Sequence, residues 1–192
     1  RIMKYKIILA SNSPRRKELL SGLDIDYEVR IIDGIEEEYP VDMPVEDIPQ
    51  YLAVRKSIPY KATLSDNELL ITADTVVVCE GKVLGKPVDR QDAVEMLRLL
   101  SGKSHYVVTG VCLSTKNWSK SFHVATKVTF KHLKESEIDY YVTNYKPYDK
   151  AGAYGIQEWI GYIGVTDIDG SYYNVMGLPV QRIWAELNKI EN

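Results

Sequence analysis

Asp74 interrupts Leu70-Ile71-Thr72-Ala73-Asp74-Thr75-Val76-Val77-Val78, a run otherwise dominated by apolar and β-branched side chains. A carboxylate in such a run must be paired, hydrogen-bonded or on a metal, because burying it alone is too costly. Strand ends in α/β sheets are also where catalytic groups tend to lie. Two readings stand side by side: a base or metal ligand, or a structural aspartate bonded to backbone amides at a strand end.

A second constellation opens the chain. In Ile7-Ile8-Leu9-Ala10-Ser11-Asn12-Ser13-Pro14-Arg15-Arg16-Lys17-Glu18-Leu19-Leu20 an apolar run stops at small polar residues, then come a proline, three cations and an apolar helical stripe. Ser13 suits an N-cap and Pro14 the first helical position. Free N–H groups and the positive dipole end attract phosphate at such a start. Arg15 and Arg16 oppose the dipole there, which an anion would compensate. The alternative is a solvated cationic face on a helix that binds nothing.

Other groups carry weaker signals. Glu36-Glu37-Glu38 is a solvated acidic loop or, if one glutamate meets Asp74, half of a site for a hard divalent cation, which takes carboxylate and phosphate oxygens together. Lys56 is either a phosphate ligand or a cation favoured by a helix C-terminus. Lys86, between Gly85 and Pro87, is either a ligand or an ordinary turn lysine. His105 reads as structural, and Asp167 and Asp169 as turn residues whose spacing fails the EF-hand pattern. No serine–histidine–acid or cysteine–histidine set is evident.

The elements that must position these groups alternate in type. Strands are expected at Tyr5–Ala10, Tyr27–Ile32, Leu69–Cys79, Val107–Ser114 and Phe122–Phe130. Helices are expected at Pro14–Leu20, Ile48–Ser57 (stopped or kinked by Pro59), from the Asp89 cap along Ala93, Met96, Leu97 and Leu100, at Glu135–Thr143, and around Leu187 after Pro179. Glu80-Gly81-Lys82 and Asp169-Gly170 read as hairpin turns, and Ala151–Gly164 as a bent loop or bulged strand. The interleaving gives an α/β or α+β class with a mixed sheet. The middle hairpins could form a second lobe, leaving a cleft for a small ligand.

Composition narrows the classes. The chain has 192 residues, 45% of them hydrophobic, and a net charge of −3. That suits one domain or two packed lobes and argues against sequence-independent nucleic-acid binding. Cys79 and Cys112 lie apart in apolar runs, with no zinc spacing, and read as buried free thiols suited to a reducing cytoplasm. No stretch is long enough for a signal peptide or a membrane span.

Together these blocks resemble the Maf family of nucleotide pyrophosphatases over nearly the whole chain. The matching blocks are Ser11 to Leu20, Gly34-Ile35-Glu36-Glu37, Leu52-Ala53 with Lys56, and Ala73-Asp74-Thr75-Val76-Val77. They continue with Gly85-Lys86-Pro87, Met96-Leu97 to Leu100-Ser101-Gly102, His105 and Thr109-Gly110-Val111. The last are Asp149-Lys150-Ala151-Gly152-Ala153-Tyr154-Gly155-Ile156-Gln157 and Asn174-Val175-Met176-Gly177-Leu178-Pro179.

The resemblance implies a single two-lobed mixed α/β domain over residues 1–192, with an elongated central sheet and a cleft, similar to the inosine-triphosphate pyrophosphatase architecture. It implies hydrolysis of a nucleoside triphosphate to the monophosphate and pyrophosphate with a divalent cation, Mg²⁺ or Mn²⁺. Asp74 matches the proton acceptor. Ser11, Arg15, Arg16, Glu37, Lys56 and Lys86 match the phosphate and metal set, with Glu37 and Asp74 on the metal. The block ending in Gln157 resembles the dTTP/UTP branch, and Arg15, Thr75 and Gln157 match its base-choosing residues. A homodimer is usual in the family. Two alternatives accompany this reading: a nucleotide-binding regulator of septum formation with little turnover, and a pyrophosphatase for modified nucleotides. Glu158-Trp159 departs from the family pattern, which often has glycine after the glutamine, and could reshape the pocket edge.

Overall fold

The structure is a computed structural model and is described for residues 3–191. Arg1 and Ile2, which precede the first methionine, lie outside the described residues, as does Asn192.

The elements follow in chain order as β1 (Lys6–Leu9), α1 (Pro14–Ser21), β2 (Tyr27–Val29), α2 (Ile48–Lys61), β3 (Glu68–Cys79), β4 (Lys82–Leu84) and α3 (Arg90–Leu100). After them come β5 (Ser104–Ser114), β6 (Ser119–Phe130), α4 (Glu135–Tyr145), α5 (Trp159–Gly164), β7 (Val165–Asp169), α6 (Tyr172–Met176) and α7 (Val180–Glu191). The strands form a mixed sheet in the order β2-β1-β3-β5-β6-β7, with β4 pairing β3. β1 runs parallel to β2 and β3, whereas β4 is antiparallel to β3 and β7 antiparallel to β6. The expected mixed α/β class is therefore observed.

The chain divides into two units, and the division falls inside β3 between Asp74 and Thr75. The first takes the chain through Asp74, Thr109–Val124 and the stretch from Gly177 on; the second takes Thr75–Val108 and Ala125–Met176.

In the first unit the Ile7, Ile8 and Leu9 side chains are buried, and Ile8 packs with Tyr60, Leu64 and Leu70. Ser13 caps α1 as its sequence suggested, accepting a hydrogen bond from the Arg16 N–H at 3.4 Å, with Pro14 in the first turn. α2 is longer than expected. It continues through Pro59 to Lys61. A proline near a helix end removes a single backbone bond from the last turn, and that loss is borne here because Tyr60 is buried beyond it. Gly110 in β5 lets α2 approach: a Cβ there would lie 2.2 Å from the Gln50 nitrogen and 2.3 Å from the Pro49 carbonyl.

In the second unit the core gathers Val77, Leu97, Leu100, Phe130, Ile138, Tyr141, Tyr154 and Ile160. α3 is capped by Asp89, which accepts from the Asp92 N–H at 2.8 Å, and buries Ala93, Leu97 and Leu100. Glu80 and Gly81 both have positive φ (50° and 75°), as a two-residue hairpin turn between β3 and β4 requires.

Three further expectations are corrected. β2 ends at Val29 rather than Ile32, because only Tyr27, Glu28 and Val29 have partners on β1. Of the bent loop or bulged strand expected over residues 151–164 no strand forms: Ala151–Ala153 make a 3-10 turn, turn and bend residues follow, and α5 completes the stretch. Asp169-Gly170 is not a hairpin turn, since Gly170 (φ 120°) turns the chain from β7 towards α6.

Candidate active site

In the first unit, β3 presents Asp74 and α2 presents Lys56. The Lys56 Nζ donates to Asp74 Oδ1 at 2.9 Å and to the Ala73 carbonyl at 3.3 Å. Glu37 Oε1, from the loop after β2, lies 3.3 Å from the same nitrogen. Asp74 is 9% exposed, so its charge is compensated in the way that burial demands. Of the three consecutive glutamates, Glu37 is the one held to this ammonium. Lys56 sits mid-helix, not at a C-terminus, so its placement owes nothing to the helix dipole.

Hydrogen bonds tie together the elements behind Lys56. Thr72 Oγ1 donates to the Ala53 carbonyl at 2.7 Å, joining β3 to α2 beside the pair. Ser57 donates to the Val54 carbonyl at 2.6 Å, and Cys112 lies 3.8 Å behind it.

The loop between β1 and α1 sets the other cations. Ser11 Oγ accepts from the Ser13 N–H at 3.1 Å, which curls the loop towards the helix start. Arg16 Nε donates to the Gly177 carbonyl at 2.8 Å. Burial draws the Arg16 guanidinium below its ordinary pKa; Asp74 opposes this, Arg15 reinforces it and Glu37 opposes it again. Arg16 thus shares an electrostatic neighbourhood with Arg15, Asp74 and Glu37.

The second unit holds Thr75, Lys86 and Gln157. Thr75 follows Asp74 in β3 and is half-buried, while Lys86 is exposed beyond β4. The Gly85 carbonyl beside Lys86 accepts from the Gly152 N–H at 3.1 Å, tying that turn to the segment that leads to Gln157. Gly152 has φ 70°, and a Cβ on it would lie 2.7 Å from Val77 Cγ2, so only glycine fits. Ala153 also adopts positive φ (62°), a strained conformation for an L-residue. Gln157 Oε1 is buried with no hydrogen-bond donor among the described residues.

The first unit therefore unites Glu37, Lys56 and Asp74 by contact and adds Arg16 through charge. Three residues have roles that the sequence did not show: Gly177, Tyr141 and Lys150. The Gly177 carbonyl anchors Arg16, a role that the block Asn174 to Pro179 did not reveal. Tyr141 and Lys150 hold Glu158, where only the glutamate itself stood out.

His105 proves structural. Its Nε2 lies 2.5 Å from Tyr154 Oη, its ring packs against Phe130, and burial lowers its pKa to about 4. Both cysteines are free and buried.

Among the described residues no cluster of three or more His, Cys, Asp or Glu could hold a metal by itself. A Mg²⁺-type site needs fewer, commonly one or two carboxylates completed by substrate phosphates and water. Asp74 and Glu37 fit that donor set: both are hard oxygen ligands, and both already face one cationic group.

A buried acid flanked by cations suits the binding of phosphate oxygens. The chain belongs to the Maf family: the Maf-like protein model matches residues 6–190. Proteins named dTTP/UTP pyrophosphatase from Bacteroides thetaiotaomicron and Phocaeicola vulgatus are each 60% identical to it, covering 97% of this chain and 97% of their own length. Among solved structures, the Ham1 protein of Staphylococcus aureus is 16% identical, with a TM-score of 0.48 over 65% of this chain and 71% of its own. No helix among the described residues is long and apolar enough to cross a membrane.

Proposed function

We propose that this chain hydrolyses dTTP and UTP to the monophosphate and pyrophosphate. The observation that carries the reading is the convergence of Asp74 and Glu37 on the Lys56 ammonium, in a chain that shares 60% identity with proteins named for this activity.

Asp74 accepts the proton of the attacking water, which adds to the α-phosphorus as the bond to the β-phosphate oxygen breaks. The products are the nucleoside monophosphate, pyrophosphate and a proton. Asp74 and Glu37 would hold Mg²⁺ or Mn²⁺, which supplies polarisation of phosphate oxygens and of water. Arg15, Arg16, Lys56 and Lys86 offset negative charge on the triphosphate, and Ser11 with the α1 N-terminus offers hydrogen bonds to phosphate. Arg16 is already oriented by the Gly177 carbonyl, so little ordering is left for the moment of binding.

Base choice falls to Arg15, Thr75 and Gln157. Uracil and thymine present an imide N–H flanked by two carbonyls. The Gln157 side-chain oxygen, buried with no donor among the described residues, is suited to accept from that N–H. Cytosine places a ring acceptor there instead and leaves the glutamine oxygen unsatisfied. A homodimer working in the cytoplasm belongs to the same reading.

A nucleotide panel with Mg²⁺ or Mn²⁺ tests it. Pyrophosphate release that is fastest with dTTP and UTP is expected. Orthophosphate as the product, or tight nucleotide binding without turnover, would overturn it, the latter in favour of a non-catalytic regulator. Preference for a modified nucleotide would keep the chemistry and replace the substrate.

A further inference from the structure

One side-chain network in the second unit plays no part in the chemistry above. Tyr141 Oη donates to Glu158 Oε1 at 2.6 Å and accepts from the Gly155 N–H at 3.0 Å. Lys150 Nζ lies 3.7 Å from the same Glu158 oxygen and 3.1 Å from Asp149 Oδ1. Tyr141 is wholly buried and Lys150 is 9% exposed. The phenol is a fixed donor, because burial and the neighbouring Glu158 carboxylate both push its pKa upward.

The network leaves the backbone little freedom. The Glu158 N–H donates to the Gly155 carbonyl at 3.0 Å, and the Glu158 carbonyl accepts from Gly161 at 2.9 Å. A Cβ on Gly155 would lie 2.9 Å from Lys150 Cε and 3.0 Å from Glu158 Oε1. Residue 158 is thus held by side chain and main chain together. The residue covalently joined to it is Gln157, whose side-chain oxygen is buried with no hydrogen-bond partner among the described residues. Buried acceptors without a protein partner are few in native proteins, and a ligand donor is one of the groups that can complete them.

We propose that Glu158, gripped by Tyr141 and Lys150, is a positioning residue that holds the Gln157 amide in place for the imide N–H of a uracil or thymine base. The proposal rests on the pyrimidine reading of Gln157 given above. Glu158 touches no reacting atom; it acts through its neighbour. Weakening the grip lets Gln157 turn away, which costs affinity for the base and discrimination against cytosine and leaves the phosphate chemistry intact.

Steady-state kinetics with UTP and CTP on Glu158→Gln, Glu158→Ala, Tyr141→Phe and Gln157→Ala test this, with melting temperature recorded for each. Glu158→Ala and Tyr141→Phe are expected to raise KM for UTP about fivefold or more, the size of a typical coupling between contacting residues, with kcat changed less than about twofold. The UTP-over-CTP ratio of kcat/KM should fall with it. Glu158→Gln retains an acceptor for Tyr141 and should recover part of the loss. If Tyr141→Phe does not fold, the two Glu158 variants decide.

A folded Glu158→Ala with KM and selectivity within twofold of the parent overturns the proposal, as does an equal loss on both nucleotides. If Gln157→Ala loses selectivity while the Glu158 and Tyr141 variants keep it, only the positioning role fails. If Gln157→Ala keeps selectivity, base reading by Gln157 fails and the positioning role with it.

Discussion

Lys56 Nζ stands 2.9 Å from Asp74 Oδ1, and the same ammonium lies 3.3 Å from Glu37. The acid proposed to activate water therefore has a cationic partner from its own unit before any nucleotide arrives. Loss of either member should expose what the other contributes.

Asp74→Asn keeps the shape and an oxygen for Lys56 but removes the base. A general base contributes roughly 10²–10⁴ in rate, so pyrophosphate release from UTP should fall about a hundredfold or more. Circular dichroism and melting should stay close to the parent. Near-parental turnover would strip Asp74 of this role.

Lys56→Met removes the cation and leaves a 9%-exposed carboxylate to Arg16 and solvent. Breaking a largely buried pair on one side costs about 1–3 kcal/mol when part of the site stays wet. Urea unfolding should show that loss, and turnover should fall as well. A stable variant with unaltered turnover would show the ion pair to be incidental.

His105 gives the fold a pH limit. Its pKa is about 4 in the native state against 6.5 when unfolded. The folded chain holds it neutral while the unfolded chain takes a proton, so stability falls as pH drops from 6.5 towards 4 and does not change further below that. The full loss is roughly 3 kcal/mol. Urea midpoints for His105→Gln should be flatter than the parent across this window; equal slopes would place the pH dependence elsewhere.

Glu186 acts in a lower window. It is 1% exposed and faces Lys120, Arg182 and Lys189, which with their hydrogen bonds hold its pKa at about 2 against 4.5. Its contribution is present above pH 4.5 and is lost as pH falls towards 2. The cations are themselves largely exposed, so about 1–2 kcal/mol is the reasonable size. Glu186→Gln should unfold at a higher acid midpoint, or at a lower urea concentration at neutral pH.

Gly110→Ala would drive a methyl into the Pro49–Gln50 backbone. Overpacking against main chain costs about 1–3 kcal/mol or more. Because α2 also carries Lys56, activity should decline in the folded fraction as well as stability. A variant as active and stable as the parent would mean that α2 moves freely against β5.

Much of this was legible from residue order. The Ser13 cap, the Asp89 cap and the Glu80-Gly81 turn follow from local chemistry, and each is found as expected. The need for Asp74 to have a partner followed from its apolar run; the identity of that partner did not, because Lys56 lies 18 residues away and the pairing depends on how α2 lies on β3. Pro59 misled because a proline's cost is local, whereas the burial of Tyr60 that sustains the helix is tertiary. Residues 151–164 were rich in glycine and aromatics, a composition shared by tight turns and bulged strands alike. Their hold on Tyr141 and Lys150 could not be read from local spacing.

The two thiols have a practical consequence. Cys79 and Cys112 are 1% and 0% exposed, and the division of the chain assigns one to each unit. Neither can meet a labelling reagent while its surroundings stay closed, and burial further suppresses the Cys79 thiolate. Alkylation rates resolved by mass spectrometry would therefore time the breathing of each half of the polypeptide separately, without introducing a single foreign probe.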